Sequence, residues 1–272
     1  MSIANIAWGV ISASNRTRFS TPIETDPYSD QVVYFSDYQS RVTSHNKTDA
    51  FNMASLYTTT YIEKGTGPFG DNCLVAGSGG YHMAAVNFAV GAADFTIEFW
   101  VKTTLTGSAG VASFEAFPTG YFNLFTLTGD FFYVSGDVSS WSIMSAVATT
   151  YGDGNWHHVA LTRAGTAITA WVDGVAIATA TVTTGAVLTQ RSVWSIIGKK
   201  ANDLTGGYTS RIAHLRMTKG VCRYLTAFTP PAAAFPAPTM PAYPKARTAR
   251  RYTIMAAPFS VQTLRRFTIL TS

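Results

Sequence analysis

Cleaving a glycosidic bond requires two carboxylates roughly 5–10 Å apart, and this sequence has few to offer. Its four glutamates are Glu24, Glu63, Glu98 and Glu115. Asp94 and Glu98 make the best same-face pair, but four residues of extended chain put their Cα atoms about 13 Å apart. No alternating Glu-x-Asp-x-Glu run is present, so an enzyme is not expected. His157 and His158 invite a metal or general-base reading. Neighbouring strand residues point to opposite faces, so the two cannot chelate one ion. Tyr81-His82 and His214 have no Cys or His at ligand spacing. Asp153 and Asp203 are loop acids that could join a calcium site, which takes several oxygens at about 2.3–2.6 Å. Turn chemistry accounts for both equally well, and beyond calcium no cofactor is expected. Trp141, Tyr151 and Tyr208 fall near predicted loops, where an aromatic face could meet a sugar; packing against a sheet is the alternative. Gly77-Ser78-Gly79-Gly80 and Gly206-Gly207 lead into no helix and so are not phosphate loops.

The elements that must position these residues are strands. Asp94 to Lys102 alternates cleanly, with Phe95, Ile97, Phe99 and Val101 on one face and Thr96, Glu98, Trp100 and Lys102 on the other. Further strands are predicted over Tyr121–Leu127, Phe131–Val134, Trp156–Arg163, Ile168–Val172, Val193–Gly198 and Arg211–Met217. Asp173-Gly174 should form a type I′ hairpin turn, and Ala164-Gly165 should join the two strands before it. Phe95, Ile97, Phe99, Val159 and Leu161 are the predicted core. Helical periodicity is weak throughout, and many short strands with regular turns imply a sandwich or jelly roll.

Of the 272 residues, 47% are hydrophobic and 13% charged, which is ample for one large core and too apolar for a disordered chain. The net charge of +5 is local: Lys245, Arg247, Arg250, Arg251, Arg265 and Arg266 lie beyond Pro241 with no acid among them. A tail of this kind can meet nucleic acid, an acidic protein face or an anionic membrane; a solvated or protein-paired tail is the expectation, not nucleic acid. No stretch of ~18 apolar residues exists to cross a membrane, and the mildly apolar start lacks the basic residues of a secretory leader. Cys73 and Cys222 are either free buried thiols or one bridge. Residues 1–26 read as an N-terminal arm. Six prolines between Pro230 and Pro244 punctuate an extended connector. Beyond it Arg250-Arg251-Tyr252-Thr253-Ile254-Met255 repeats as Arg265-Arg266-Phe267-Thr268-Ile269-Leu270. Each unit reads as a strand with too little chain around it to build a sheet, so Arg250, Arg251, Tyr252, Ile254, Arg265, Arg266, Phe267 and Ile269 are predicted to anchor the chain by strand addition to a partner.

Four pieces in order resemble the concanavalin A-like, laminin-G-like jelly rolls: Phe95–Val101; Trp156–Arg163; Trp171-Val172-Asp173-Gly174; and Ile197-Gly198 followed by Ile212–Arg216. The run Leu215–Tyr224, with Phe228-Thr229-Pro230-Pro231 and Phe235-Pro236, is similar to the version found in tailed-bacteriophage structural proteins, and Asp26 to Phe35 to its opening strand. The resemblance implies an all-β, two-sheet antiparallel jelly-roll sandwich over 27–237, flanked by extended arms at 1–26 and 238–272. It also implies a role on a virion, as a tail appendage or capsid decoration, in adhesion, carbohydrate contact or stabilisation. Partners would be other virion proteins, copies of itself and a host-surface glycan. A free carbohydrate-binding module and, behind it, a glycan-cleaving enzyme are the alternatives. Relatives often carry acids where this chain has Tyr208-Thr209-Ser210-Arg211, which leaves a calcium site there without its ligands.

Overall fold

The computed structural model describes residues 26–38, 44–46, 55–57, 60–76, 81–85, 90–107, 109–114, 125–135, 142–188, 194–197 and 209–236. Among them are sixteen strands and no helix: β1 (Val32–Ser36), β2 (Ser44–Asn46), β3 (Ser55–Tyr57), β4 (Thr60–Glu63), β5 (Cys73–Ala76), β6 (Tyr81–Ala85), β7 (Phe95–Thr103), β8 (Gly110–Phe114), β9 (Phe125–Thr128), β10 (Phe131–Val134), β11 (Met144–Ala148), β12 (Trp156–Ala164), β13 (Ala167–Val172), β14 (Val175–Thr181), β15 (Trp194–Ile197) and β16 (Ser210–Lys219). They form two antiparallel sheets. One runs β14-β13-β12-β7-β16-β1-β2, with β5 also on β16 and β4 on β5; the other runs β11-β10-β9-β8-β15-β6-β3. The chain divides into Met1–Thr239 and Met240–Ser272. The second part lies outside the described residues, as do residues 1–25.

The period-two pattern of β7 sets the core. Phe95, Ile97, Phe99 and Val101 are fully buried, beside Val159 and Leu161 of β12 and against Val111, Leu127, Phe132 and Val134 of the other sheet. Burying a side chain of this size stabilises by roughly 1.5–3 kcal/mol, so this layer alone explains why β7 and β12 sit at the centre of their sheet. The β13–β14 turn is of the predicted kind: Asp173 and Gly174 both have positive φ, 49° and 77°. The β12–β13 turn lies one residue later than expected, at Gly165-Thr166, because β12 runs on to Ala164.

One strand reading is corrected, and the predicted strand over Arg211–Met217 lies within β16 but carries an irregularity. The opening strand does not start at Asp26: residues 27–31 form a turn, and the ladder begins at Val32. Asp26 holds that turn by accepting the Tyr28 N–H on its carboxylate and the Ser29 N–H on its carbonyl. β16 is thus not a plain strand. Its register on β7 jumps between Ala213 and Arg216, and His214 sits at φ 51°. This bulge lets Ile212, Leu215 and Met217 all reach the core, with spacings of three and then two. Both cysteines are free; Cys73 is buried and Cys222 half-buried.

Candidate functional site

Alternation places Thr96, Glu98 and Trp100 of β7 on the outer face of the larger sheet, where water would be expected. A strap covers Thr96 and Glu98 instead, while Trp100 is met edge-on by Phe69. From Val221 the chain crosses this face, fixed by Thr96 Oγ1 donating to Val221 O (3.1 Å) and accepting from Arg223 N (2.9 Å). Phe228 N then donates to Gly174 O (3.0 Å). A Cβ on Gly174 would lie 1.7 Å from the Phe228 carbonyl oxygen, so the hairpin glycine also admits the strap. Tyr224 and Phe228 stack at 3.6 Å, nearly parallel. Phe228 meets Trp171 edge-on, and Phe235 packs with Val32 and Phe35.

Under the strap lies a charged node. Glu98, with no exposed surface, accepts from Arg216 Nε (2.8 Å) and Tyr224 Oη (2.6 Å), and His158 Nε2 lies 3.3 Å from it. Arg216 also donates to Asp26 (3.1 Å). Arg223 grips both Asp26 oxygens, at 2.8 and 2.9 Å, and its Nε donates to Thr218 Oγ1 (2.8 Å). Burial alone would raise the Glu98 pKa, but the Arg216 charge and the His158 and Tyr224 hydrogen bonds outweigh it and hold the group at about 2. Burial raises Asp26 too, and the Arg223 hydrogen bond, the Tyr28 N–H and the Arg216 charge more than reverse it. Arg216 lies over the Phe235 ring, 3.9 Å from its centroid, a cation–π contact in a desolvated place.

The node opens on one side to a pocket of about 240 Å³, lined by Asp26, Arg216 and Arg223 on one wall and by Pro231 to Pro236 on the other. The wall itself carries one carboxylate, Asp26, and two guanidinium groups; Glu98 answers the second guanidinium from beneath, with no surface of its own, and the facing Ala232, Ala233 and Ala234 are exposed.

The residues singled out by sequence fall elsewhere or outside the described residues. Tyr151 is fully buried in the core, edge-on to Phe132, and cannot present its ring to a sugar. Its loop turns inward because Gly152 packs on Leu105, whose carbonyl oxygen would lie 2.5 Å from a Cβ there. Asp153 does turn work: its oxygens accept Asn155 N (2.8 Å) and Asn155 Nδ2 (2.9 Å). Its other partner is His157, whose Nε2 lies 2.9 Å from Asp153 and whose Nδ1 lies 2.6 Å from Asp173. Burial pulls the His157 pKa down, but the Asp173 and Asp153 hydrogen bonds outweigh it and leave it raised. The two ring nitrogens address different carboxylates, and among the described residues no cluster of three or more His, Cys, Asp or Glu could hold a metal ion. His157 and His158 do point to opposite faces: His158 joins Glu98 under the strap. Trp141, Tyr208, Asp203 and the anchoring set Arg250, Arg251, Tyr252, Ile254, Arg265, Arg266, Phe267 and Ile269 lie outside the described residues.

The sequence reading missed Asp26, Arg216 and Arg223 as one site. The visible signal was a glutamate in mid-strand, between the core residues Ile97 and Phe99. Such an acid needs a cation if its own face is covered.

Known proteins share this architecture. The family model of the concanavalin A-like lectin/glucanases superfamily matches residues 76–222. Domain 4 of AbnA, an extracellular arabinanase from Geobacillus stearothermophilus solved in complex with arabinotriose, superposes with a TM-score of 0.53 at 15% identity, covering 71% of this chain and 94% of that one. A structure of botulinum neurotoxin type C, whose cell entry depends on two ganglioside molecules, gives 0.54 at 14% identity over 71% of this chain and 49% of that one. The binding domain of botulinum neurotoxin DC in complex with rat synaptotagmin II gives 0.52 at 13% over the same shares. The chain thus spans about half the length of the neurotoxin chains it matches. No curated protein sequence matches it.

Proposed function

The chain belongs to the concanavalin A-like lectin/glucanases superfamily, and from that premise we propose that it is a non-catalytic binding domain that takes a sugar unit into the pocket under its strap and is displayed on a tailed-bacteriophage virion. The observation that carries the binding half is the pocket itself. Its polar wall is built from Asp26, Arg216 and Arg223, whose side chains are 2–7% exposed and locked by mutual ion pairs. Preorganised planar groups of this kind suit the vicinal hydroxyls of a sugar. About 240 Å³ is below the roughly 300–1,000 Å³ of drug-sized sites, which points to one ring at the end of a glycan. Counted with the buried Glu98, the node balances two carboxylates against two guanidinium groups, which favours a neutral sugar.

Support for a non-catalytic role comes from where the acids are spent. Glu98 is saturated by Arg216, His158 and Tyr224, and Asp94 accepts the Gly165 N–H (2.7 Å). The virion setting rests on the resemblance of Leu215–Tyr224, Phe228–Pro231 and Phe235-Pro236 to phage structural proteins, with the basic C-terminal arm as the anchor to other virion proteins. A carbohydrate-binding module outside any virion is the second reading, favoured by the near-complete coverage of the arabinanase domain.

A glycan array followed by calorimetric titration tests the pocket. Ala233→Trp fills it from the exposed strap and should abolish binding while leaving the melting temperature unchanged. Binding that survives Ala233→Trp, or no binding to any glycan, removes the reading. Immunogold labelling of virions from a phage encoding the chain separates the two settings.

A further inference from the structure

Both sheets end on the same side of the sandwich. β14 closes one and β11 the other, and the two lie against each other. Among the described residues, β14 pairs only with β13 and β11 only with β10. Edge strands in natural proteins are blunted by charge, proline or a bulge. β11 has such a device: its register on β10 slips between Phe132 and Val134, and Ala146 sits at φ 51°. β14 slips at its hairpin end, between Ala170 and Trp171, and then runs in register from Ala178 to Thr181. That regular stretch has no guard. From Val175 to Leu188 there is no charged residue and no proline. Thr179 and Thr181 are exposed, and Val175 and Val187 keep 62% and 64% of their surface in water.

The hydrogen-bond phase shows which groups β14 offers. Val182 N donates to Thr166 O (2.8 Å). Alternation therefore turns Ala180 and Ala178 toward β13 and directs the N–H and C=O of Thr179 and Thr181 away from the sheet. We infer that this edge is an interface between two copies of the chain, joined β14 to β14 about a twofold axis. Antiparallel pairing is self-complementary under that symmetry. Centred on Ala180, it sets Thr179 opposite Thr181 of the partner subunit and Thr181 opposite Thr179 of the partner subunit. All four outward groups on each copy then find partners. The small alanine and threonine side chains allow close approach, and no like charges meet. Charge also chooses the occupant. The arginines of the 250–255 and 265–270 sequence repeats would find no carboxylate along this edge, whereas a second copy brings a neutral edge to a neutral edge.

The test is the mass of the full-length chain in solution, by light scattering and analytical ultracentrifugation at micromolar concentration. A species of twice 29.3 kDa is expected. Thr181→Pro removes an outward N–H and leaves the β13 ladder whole, so it should give a monomer with unchanged far-ultraviolet circular dichroism. Thr179→Lys combined with Thr181→Lys opposes like charges across the axis and should raise the dimer dissociation constant roughly tenfold or more; it serves if the proline variant does not fold. A wild-type monomer overturns the inference. So does a dimer that survives both variants, or one that is lost on deleting 241–272 and kept in Thr181→Pro, which would place assembly in the arm.

Discussion

Replacing Glu98 by glutamine keeps the shape of the buried node and removes its central charge. Glu98 is held at about 2 from an ordinary value of 4.5, and each pKa unit corresponds to about 1.36 kcal/mol, so its ionised form stabilises the fold by roughly 3 kcal/mol. Breaking one side of a buried ion pair independently suggests ~3–5 kcal/mol, since Arg216 would keep its charge with only Asp26 to answer it. For a domain of this size each kcal/mol moves the midpoint by about 2–4 °C, so Glu98→Gln should melt roughly 6–12 °C below wild type at pH 7. The pH dependence gives a second signature. A carboxylate with a depressed folded pKa stabilises fully above its unfolded value and loses that contribution as pH falls toward the folded one. Wild type should therefore lose stability between about pH 4.5 and pH 2. Asp26, also lowered, contributes in the same direction. In Glu98→Gln this acid limb should shrink to the Asp26 share. Calorimetric scans of both proteins from pH 2 to pH 8 decide the matter. A variant that melts with wild type at pH 7, or that keeps the full acid limb, refutes the view that the node holds the strap down.

Phe99→Ala should cost about 3–5 kcal/mol, read by chemical denaturation, because Phe99 is fully buried between the sheets. Gly174→Ala should push the strap off the hairpin, since its Cβ would strike the Phe228 carbonyl and its φ is 77°; expect a loss of ~1–3 kcal/mol and a changed Trp171 emission, as Phe228 packs on that indole. His157→Gln should flatten the alkaline side of the stability curve. The raised His157 pKa stabilises fully below the ordinary value of 6.5 and is lost as pH climbs through the higher folded value, so wild-type melting should converge on that of the variant once the pH has passed that value.

The sandwich was legible in the sequence because its code is local. Phe95, Ile97, Phe99 and Val101 announce their face by period two, and Asp173-Gly174 announces its turn by the positive φ those residues tolerate. The bulge in β16 was there to be read as well: strict alternation from Ile212 would turn His214 inward and leave Leu215 outside, whereas Leu215 is in the core and His214 is not part of it. The charged node obeys no such code. Asp26 lies 190 residues from Arg216, and Glu98 lies 118 from Arg216 and 126 from Tyr224, so no spacing rule relates them. The same local code misleads on that face, because alternation turns Glu98 and Thr96 toward water and says nothing of a later segment that covers them. Tyr151 failed for a related reason: loop position suggested exposure, and the close packing of Gly152 on Leu105 is a contact between distant loops.

The strap shows how a segment outside every ladder can still organise a face. The proline-rich composition after Phe228 reads as a connector, since proline cannot enter a ladder, and indeed residues 221–236 form no strand. A segment excluded from ladders is still free to pack, and this one places Tyr224, Phe228 and Phe235 over a second, outer layer of buried side chains. These aromatics seal the node, and any chain that keeps Tyr224, Phe228 and Phe235 while losing Glu98, Arg216 or Asp26 would cover an unmatched charge at a cost of several kcal/mol. The strap and the node should accordingly be kept or lost together.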